Sequence, residues 1–279
     1  MLEALDAARR GQETVGEMER DAGRRVLRIA AKPLPAGEIL LTVQDLSSVR
    51  RLETQRRDFV ANVSHELRTP LAALKAMVET LRGGAMRDRE AADDFLTRID
   101  HEVDGLTELV GDLLALTRME SGDDAFDLRD VDAADLVRQA ASRLEPLATR
   151  AQIRLVTATD ASGARVRVDP GRMSQVLANL VHNAIKFTPA GGTVTLGTTS
   201  TPSDVTLFVR DTGAGIDPAD VDRIFERFFK SDPSRATGGT GLGLAIAKHA
   251  VQAHGGTIAA ASDGRGHGAT FTVTLPRSG

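Results

Sequence analysis

His65 and Glu66 stand side by side, and Thr69 follows four residues after the histidine. An imidazole in such company can act as a nucleophile or carry a proton, provided that it faces water rather than core. Its neighbours decide between the two. Val63, Leu67, Leu71, Leu74, Val78 and Leu81 step by three and four, the stripe of an amphipathic helix. At about 100° per residue this stripe spans roughly an 80° arc, and His65 lies about 165° from its centre. Thr69 shares the outward face and Glu66 sits on its flank. The wheel argues against a core histidine and leaves an ordinary solvated one as the main competitor. Pro70 weighs against that competitor. It removes the backbone bond to the Glu66 carbonyl and crowds that carbonyl, so a kink is expected just after His65. A kink beside an exposed His-Glu pair reads as a site shaped for access. A zinc site of the His-Glu-x-x-His kind is excluded, because Thr69 occupies the position of the second histidine.

A second set of chemically able residues lies more than a hundred positions later. In "DPGRMSQVLANLVHNAIKFTP" (169–189) the apolar residues Val176, Leu177, Leu180, Val181 and Ala184 take one side of a helix. Asn179, Asn183 and Lys186 cluster within about 60° on another side. Neutral amides offer oxygen to Mg²⁺, and a lysine meets a polyphosphate as a point charge. "DTGAGI" (211–216) follows a strand pattern; its glycines permit a tight turn, and Asp211 can accept a hydrogen bond from an adenine amino group. "GGTGLGLAIAKH" (238–249) sets a glycine-rich loop before a helix, where free N–H groups suit phosphate. Each piece alone is weak. The loop is not a Walker A, since no Gly-Lys-Ser/Thr closes it, and its position does not fit a Rossmann fingerprint.

The elements that must position these residues fall into three stretches. Residues 1–22 are charged, Ala-rich and weakly helical in pattern. "RRVLRIAAKPL" (24–34) and "GEILLTVQDLS" (37–47) alternate and read as a hairpin. Two strands rarely stand alone, so 1–47 reads as the tail of a larger domain, or as a small cap on the helical stretch after it. Residues 48–120 form a helical hairpin: the first stripe, a Gly-Gly break in "RGGAMRDRE" (82–90), then Phe95, Ile99, Val103, Leu106, Leu109, Leu113 and Leu116. One hairpin cannot cover both stripes, so a homodimer making a four-helix bundle is its natural completion. After the linker "SGDDAF" (121–126), residues 127–279 carry short strand patterns mixed with helices, an α/β sandwich with a mostly antiparallel sheet.

Composition narrows the partners. The chain has 279 residues, a formal net charge of -4, no cysteine, no Trp or Tyr and nine Phe. Disulfides and thiolate metal sites are excluded. Neither the charge nor the aromatic content favours nucleic acid. No apolar run reaches the roughly 18–20 residues of a membrane helix.

Taken in order, these segments resemble the two-component sensor histidine kinases. "FVANVSHELRTPLAAL" (59–74) is similar to the H-box of their dimerisation and phosphotransfer helices. The Asn/Lys helix, "DTGAGI", "RIFERFFKSD" (223–232) and the glycine loop are similar to the N, G1, F and G2 boxes of their Bergerat/GHKL-type ATP-binding domain. The resemblance implies phosphorylation of His65 on Nε2 by Mg²⁺-ATP, with Glu66 as base and Thr69 positioning water when the partner regulator is dephosphorylated. It implies Asn183 as Mg²⁺ ligand with Asn179 assisting, Lys186 on phosphate and Asp211 on adenine. Gly213 and Gly215 would shape the nucleotide pocket, while Gly239, Gly241 and Gly243 would cradle phosphate and hinge a lid. Lys230 stands where many relatives carry Arg, which weakens planar contact to a γ-phosphate, and Arg235 is a candidate to compensate. Phosphoryl transfer to the aspartate of a response regulator receiver domain follows from the same resemblance, with regulator phosphatase activity beside it. So does a cytoplasmic location, any inner-membrane anchor lying in segments outside this chain. The N-terminal hairpin resembles, more weakly, the last strands of a PAS sensor domain. Two other readings keep the nucleotide fold: an ATP-gated clamp, which lacks an H-box, and a catalytically silent scaffold, which would not need every catalytic residue type.

Overall fold

The computed structural model describes residues 6–7, 9–10, 12–20, 25–35, 38–121, 126–160, 162–231 and 239–278. Asp232, Arg235 and Gly238, which belong to the F box, the lid and the glycine loop, lie outside them. The chain divides into two compact units between Thr69 and Pro70.

The first unit holds a three-stranded antiparallel sheet, β1 (Thr14–Arg20), β2 (Arg25–Pro33) and β3 (Ile39–Asp45), in that order, and the start of a long helix. The expected hairpin is β2–β3, but it gains a third strand. Residues 14–20 are not helical: they pair along β2 from Thr14↔Ala31 to Arg20↔Arg25. Strand choice here is a matter of partner more than of local propensity, and the edge of β2 supplies the partner. Val26, Ile29 and Ala31 are the buried side of β2. Helix α1 (Ser47–Arg82) is tied to this sheet by the Val26 N–H donating to Ser47 Oγ at 2.9 Å and by an Arg50–Glu17 ion pair at 2.8 Å. α1 runs through Pro70 without interruption, so the proline removes one backbone bond without ending the helix.

In the second unit α1 finishes at a turn made by Gly83 and Gly84, where Gly84 takes φ +135° before a single 3₁₀ turn, Ala85–Arg87. Helix α2 (Arg89–Ser121) follows. Leu81, Leu109 and Leu116 are buried, yet Leu71, Val78, Val103, Val110 and Leu114 remain exposed. Both stripes are therefore only partly covered within one chain.

The remainder is a two-layer α/β sandwich. A five-stranded sheet has the order β5 (Arg154–Ala158), β7 (Thr193–Ser200), β8 (Asp204–Asp211), β10 (Thr270–Pro276), β9 (Thr257–Ala261). Only β5–β7 is parallel, its crossover containing β6 (Arg165–Val168) and helix α4 (Pro170–Phe187). Alternate residues of β8 and β10 (Val205, Leu207, Val209; Phe271, Val273, Leu275) are buried against α3 (Ala133–Arg150), α4 and α5 (Gly243–Ala253). A short β4 (Arg129–Asp132) pairs with β6. The sequence pattern does not announce α3. Its buried face is Ala133, Leu136, Val137, Ala140, Ala141, Leu144 and Ala148, mostly alanine, and Pro146 lies inside it.

Acids fix the starts of α3 and α4, Asp132 and Asp169 respectively. Asp169 caps α4, its Oδ1 accepting from Gly171 N at 2.9 Å and Arg172 N at 3.1 Å, with Pro170 preset for the first turn. Burial pushes the Asp169 carboxyl up, but the N–H groups of Arg172, Asp127 and Gly171 outweigh it and hold the group below its ordinary value. His254 Nε2 accepts the Asp169 N–H at 3.0 Å, joining the end of α5 to the start of α4.

Candidate functional site

The acceptor residues lie in the first unit. His65 and Thr69 are exposed on α1, as the wheel requires, and Glu66 is half-buried beside them. The Thr69 hydroxyl donates to the His65 carbonyl at 3.4 Å, placing the two residues on adjacent turns of one face. An exposed imidazole on a rigid helix has its ring nitrogens within reach of an incoming group, which is the property a nucleophile needs.

The second cluster belongs to the second unit, and its sequence-predicted members meet there. α4 packs into the core through Met173, Val176, Leu177, Leu180 and Val181, which are buried. That packing turns Asn179 and Asn183 to a half-buried edge and Lys186 to an exposed one. Asn179 is engaged: its Nδ2 donates to the Gly243 carbonyl at 2.8 Å, pinning the first turn of α5 to α4. Asn183 makes no side-chain hydrogen bond among the described residues. A half-buried neutral amide can offer its oxygen to a hard divalent cation, and Asn179 spends only its Nδ2, so the amide oxygens of Asn183 and Asn179 both suit Mg²⁺.

Lys186 brings its ammonium against Gly239, where an added Cβ would lie 2.5 Å from Nζ. Burial of that end and the charge of Lys230 hold its pKa below the ordinary lysine value, while Glu108 works the other way. Lys186 and Lys230 thus form a basic pair that an anion would relieve. α5 starts without any side-chain cap at Leu242, leaving its first N–H groups to whatever lies in front of them. Gly241 has φ +67°, and an added Cβ would crowd the Phe228 backbone at 2.8 Å.

At the other end Asp211, 6% exposed, closes β8. Its Oδ1 accepts from Gly213 N at 2.8 Å and Ala269 N at 3.2 Å, and Oδ2 has no hydrogen-bond partner among the described residues. Burial raises the Asp211 pKa, and the two N–H groups pull it back only in part. Gly213 packs on the Phe187 carbonyl, and the Ala214 N–H donates to that same carbonyl at 2.9 Å. Gly215 has φ +68° and touches the Gly264 carbonyl so closely that any Cβ would collide.

Three supports escape a pattern search. Phe228 holds a left-handed backbone, φ 61°, rare for a bulky residue, and its N–H donates to the Gly241 carbonyl at 2.8 Å. The Ser262 hydroxyl, donating to Gly268 O at 2.6 Å and accepting from Ile216 N at 3.0 Å, ties the β9–β10 loop to the Asp211 loop. The run "DGRGHG" (263–268) is the one sequence signal of that loop. Asp112, on α2, receives the Thr240 hydroxyl at 2.8 Å.

Two stretches of the chain match models of known protein families. Residues 55–122 match the model of the His Kinase A (phospho-acceptor) domain. Residues 168–279 match that of the histidine kinase-, DNA gyrase B- and HSP90-like ATPases. The chain is 42% identical over 237 residues to the sensor-like histidine kinase SenX3 of Mycobacterium tuberculosis, covering 84% of this chain and 57% of SenX3. Among solved structures, the Acinetobacter baumannii histidine kinase AdeS aligns over 77% of this chain and 98% of its own, at 25% identity and a TM-score of 0.62. Full-length ShkA in complex with AMPPNP aligns over 79% of this chain and 46% of its own, at 32% identity and a TM-score of 0.59. By its helical hairpin, its GHKL-type sandwich and these matches, the chain belongs to the two-component sensor histidine kinases.

Proposed function

We propose that this chain is the catalytic part of an ATP-dependent protein histidine kinase that phosphorylates itself on His65 and passes the phosphoryl group to an aspartate of a response regulator. The observation that carries the reading is the phosphate cradle: an uncapped helix start at Leu242, a lysine ammonium at Gly239, and an uncommitted amide at Asn183, all on one edge of the sandwich. That ShkA, which aligns with this chain, was solved in complex with AMPPNP supports a nucleotide as ligand.

In this reading Asp211 Oδ2 takes the adenine amino group, and Gly213 and Gly215 let the ring approach the backbone. Lys186, Lys230 and the N–H groups of the 239–243 loop hold the polyphosphate. Asn183 would hold Mg²⁺, with Asn179 keeping the loop in place; the ion would neutralise phosphate charge and draw electrons from phosphorus. His65 Nε2 attacks the γ-phosphorus, the bond to the ADP oxygen breaks, and Glu66 takes the Nδ1 proton. The phosphorylated imidazole then gives its phosphoryl group to a receiver aspartate, and Thr69 orients the water that hydrolyses the resulting aspartyl phosphate to inorganic phosphate in the separate phosphatase reaction. The uncovered stripes of α1 and α2 fit a four-helix bundle shared by two copies. The sheet of residues 1–47 is read as the remnant of a sensor domain of PAS type, 48–120 as the dimerisation hairpin and 127–279 as the ATP-binding domain. The whole acts on the cytoplasmic side, any membrane anchor of the parent lying elsewhere.

Incubation with γ-labelled ATP and Mg²⁺ should give a protein adduct that is labile to acid and stable to alkali, and whose label moves to a purified receiver domain. An acid-stable adduct would replace histidine by a hydroxyl amino acid as acceptor and overturn the reading.

A further inference from the structure

One contact lies outside the phosphate and adenine machinery. Thr240, between two glycines of the phosphate loop, donates its hydroxyl to Asp112 Oδ2 at 2.8 Å, across 128 residues of chain. The same hydroxyl accepts from Leu242 N at 3.1 Å, so one oxygen couples the start of α5 to α2. Asp112 is half-buried there; burial raises its pKa, the Thr240 hydroxyl opposes that rise, and the charge of Glu108 adds to it. Glu108 lies one turn earlier on α2 and also acts on Lys186, whose ammonium adjoins Gly239. Asp112 of α2 therefore holds, through Thr240, the loop that the nucleotide reading gives to phosphate.

We propose that the Asp112–Thr240 hydrogen bond is a latch that holds the phosphate loop against α2 in a state of lowered affinity for nucleotide, so that nucleotide binding and release of this contact favour one another. The proposal rests on the nucleotide reading of the cradle. A polyphosphate entering the 239–243 loop brings negative charge towards Asp112, which is bonded to the middle of that loop. While Asp112 holds Thr240, it fixes the loop and opposes the anion. Once the phosphates are bound, the loop N–H groups and Lys186 are satisfied, and the Asp112 carboxylate does better in water. Asp112 is accordingly a positioning residue, acting through Thr240.

The test uses the full chain in three forms: unaltered, Asp112→Ala, which removes both acceptor and charge, and Asp112→Asn, which keeps an acceptor oxygen and removes the charge. Calorimetric titration with MgATP should give about tenfold tighter binding for Asp112→Ala, the size expected of one partly screened charge and a lost restraint. Asp112→Asn should fall between. Hydrogen exchange of the Thr240–Leu244 amides, measured without nucleotide, should speed up in Asp112→Ala and stay near the unaltered rate in Asp112→Asn. Equal or weaker MgATP binding by Asp112→Ala would overturn the latch, the weaker case meaning that the contact prepares the loop instead. Fast exchange in Asp112→Asn as well would show that the acceptor oxygen is not what holds the loop, and would overturn it too. If Asp112→Ala does not fold, Asp112→Asn decides by its affinity, which must exceed that of the unaltered chain. Failure of the unaltered chain and both variants to bind MgATP would instead remove the nucleotide reading and the affinity half of the proposal with it.

Discussion

The proposed acceptor helix and the proposed nucleotide site are built by opposite means. On α1 His65, the proposed acceptor, is exposed because the helix turns it away from the apolar stripe. In the sandwich the working groups are held by burial and by spent hydrogen bonds. Asp211 is fixed by two N–H groups, Asn179 by the Gly243 carbonyl, and the loop glycines by contacts that leave no room for a Cβ. A nucleophile that must meet several partners gains from access. A nucleotide site gains from preorganisation, because every group fixed beforehand is one that binding need not order.

The largest effect is expected at Asn183 of the sandwich. Asn183→Asp should cut Mg²⁺-dependent labelling by more than about a hundredfold, beyond what loss of an outer-shell partner of a metal costs. It should leave the oligomeric state unchanged by light scattering. Unaltered labelling would remove Asn183 from the site.

A second contrast is mechanical. Leu177 is 0% exposed in the sandwich core, and Leu177→Ala should cost about 2–5 kcal/mol of domain stability in denaturant unfolding. Leu71 is 54% exposed on α1, so Leu71→Ala should cost the single chain under about 0.5 kcal/mol. If α1 and α2 form a bundle between copies, the same change should weaken the dimer measured by sedimentation; an unaltered dimer would place the interface elsewhere.

The pH dependence of nucleotide binding sharpens the role of burial. The Asp211 pKa is raised in the folded chain, chiefly by burial, so folding favours its protonated form. Its contribution to stability is present below the unfolded pKa and is lost as pH rises through the folded one. Binding has the opposite sign. The carboxylate is the better acceptor for an adenine amino group, so MgATP affinity should fall several-fold on acidification, beginning above the ordinary aspartate range. Asp211→Asn should flatten that limb, and an unchanged profile would detach it from Asp211. The smallest effect on labelling belongs to Thr69→Ala. It should autophosphorylate normally and lose dephosphorylation of the regulator in a phosphate-release assay; full dephosphorylation would remove the role given to Thr69.

How much of this was legible in the sequence depended on range. His65 on its outward face, the α1 and α2 stripes, the strands β5–β10 and the α4 cluster follow from local periodicity, and the structure keeps them. β1 did not follow, because residues 14–20 become a strand through β2 rather than through their own pattern. α3 was hidden by alanines that bury well while contrasting little with their surroundings, and by Pro146. Within the site, spacing put Asn179 beside Asn183, but the bond from its amide nitrogen to the Gly243 carbonyl joins segments 64 residues apart and has no local signal. The left-handed Phe228 and the Asp112–Thr240 bond have no local signature at all, since each is set by a segment brought in from far along the chain.

In the proposed reaction a separate, preorganised site supplies phosphate to an exposed His65. MgATP binding and label incorporation, measured side by side in His65→Gln, test this at its centre. Binding should equal that of the unaltered chain, with no acid-labile label. Label that persists in His65→Gln would contradict it.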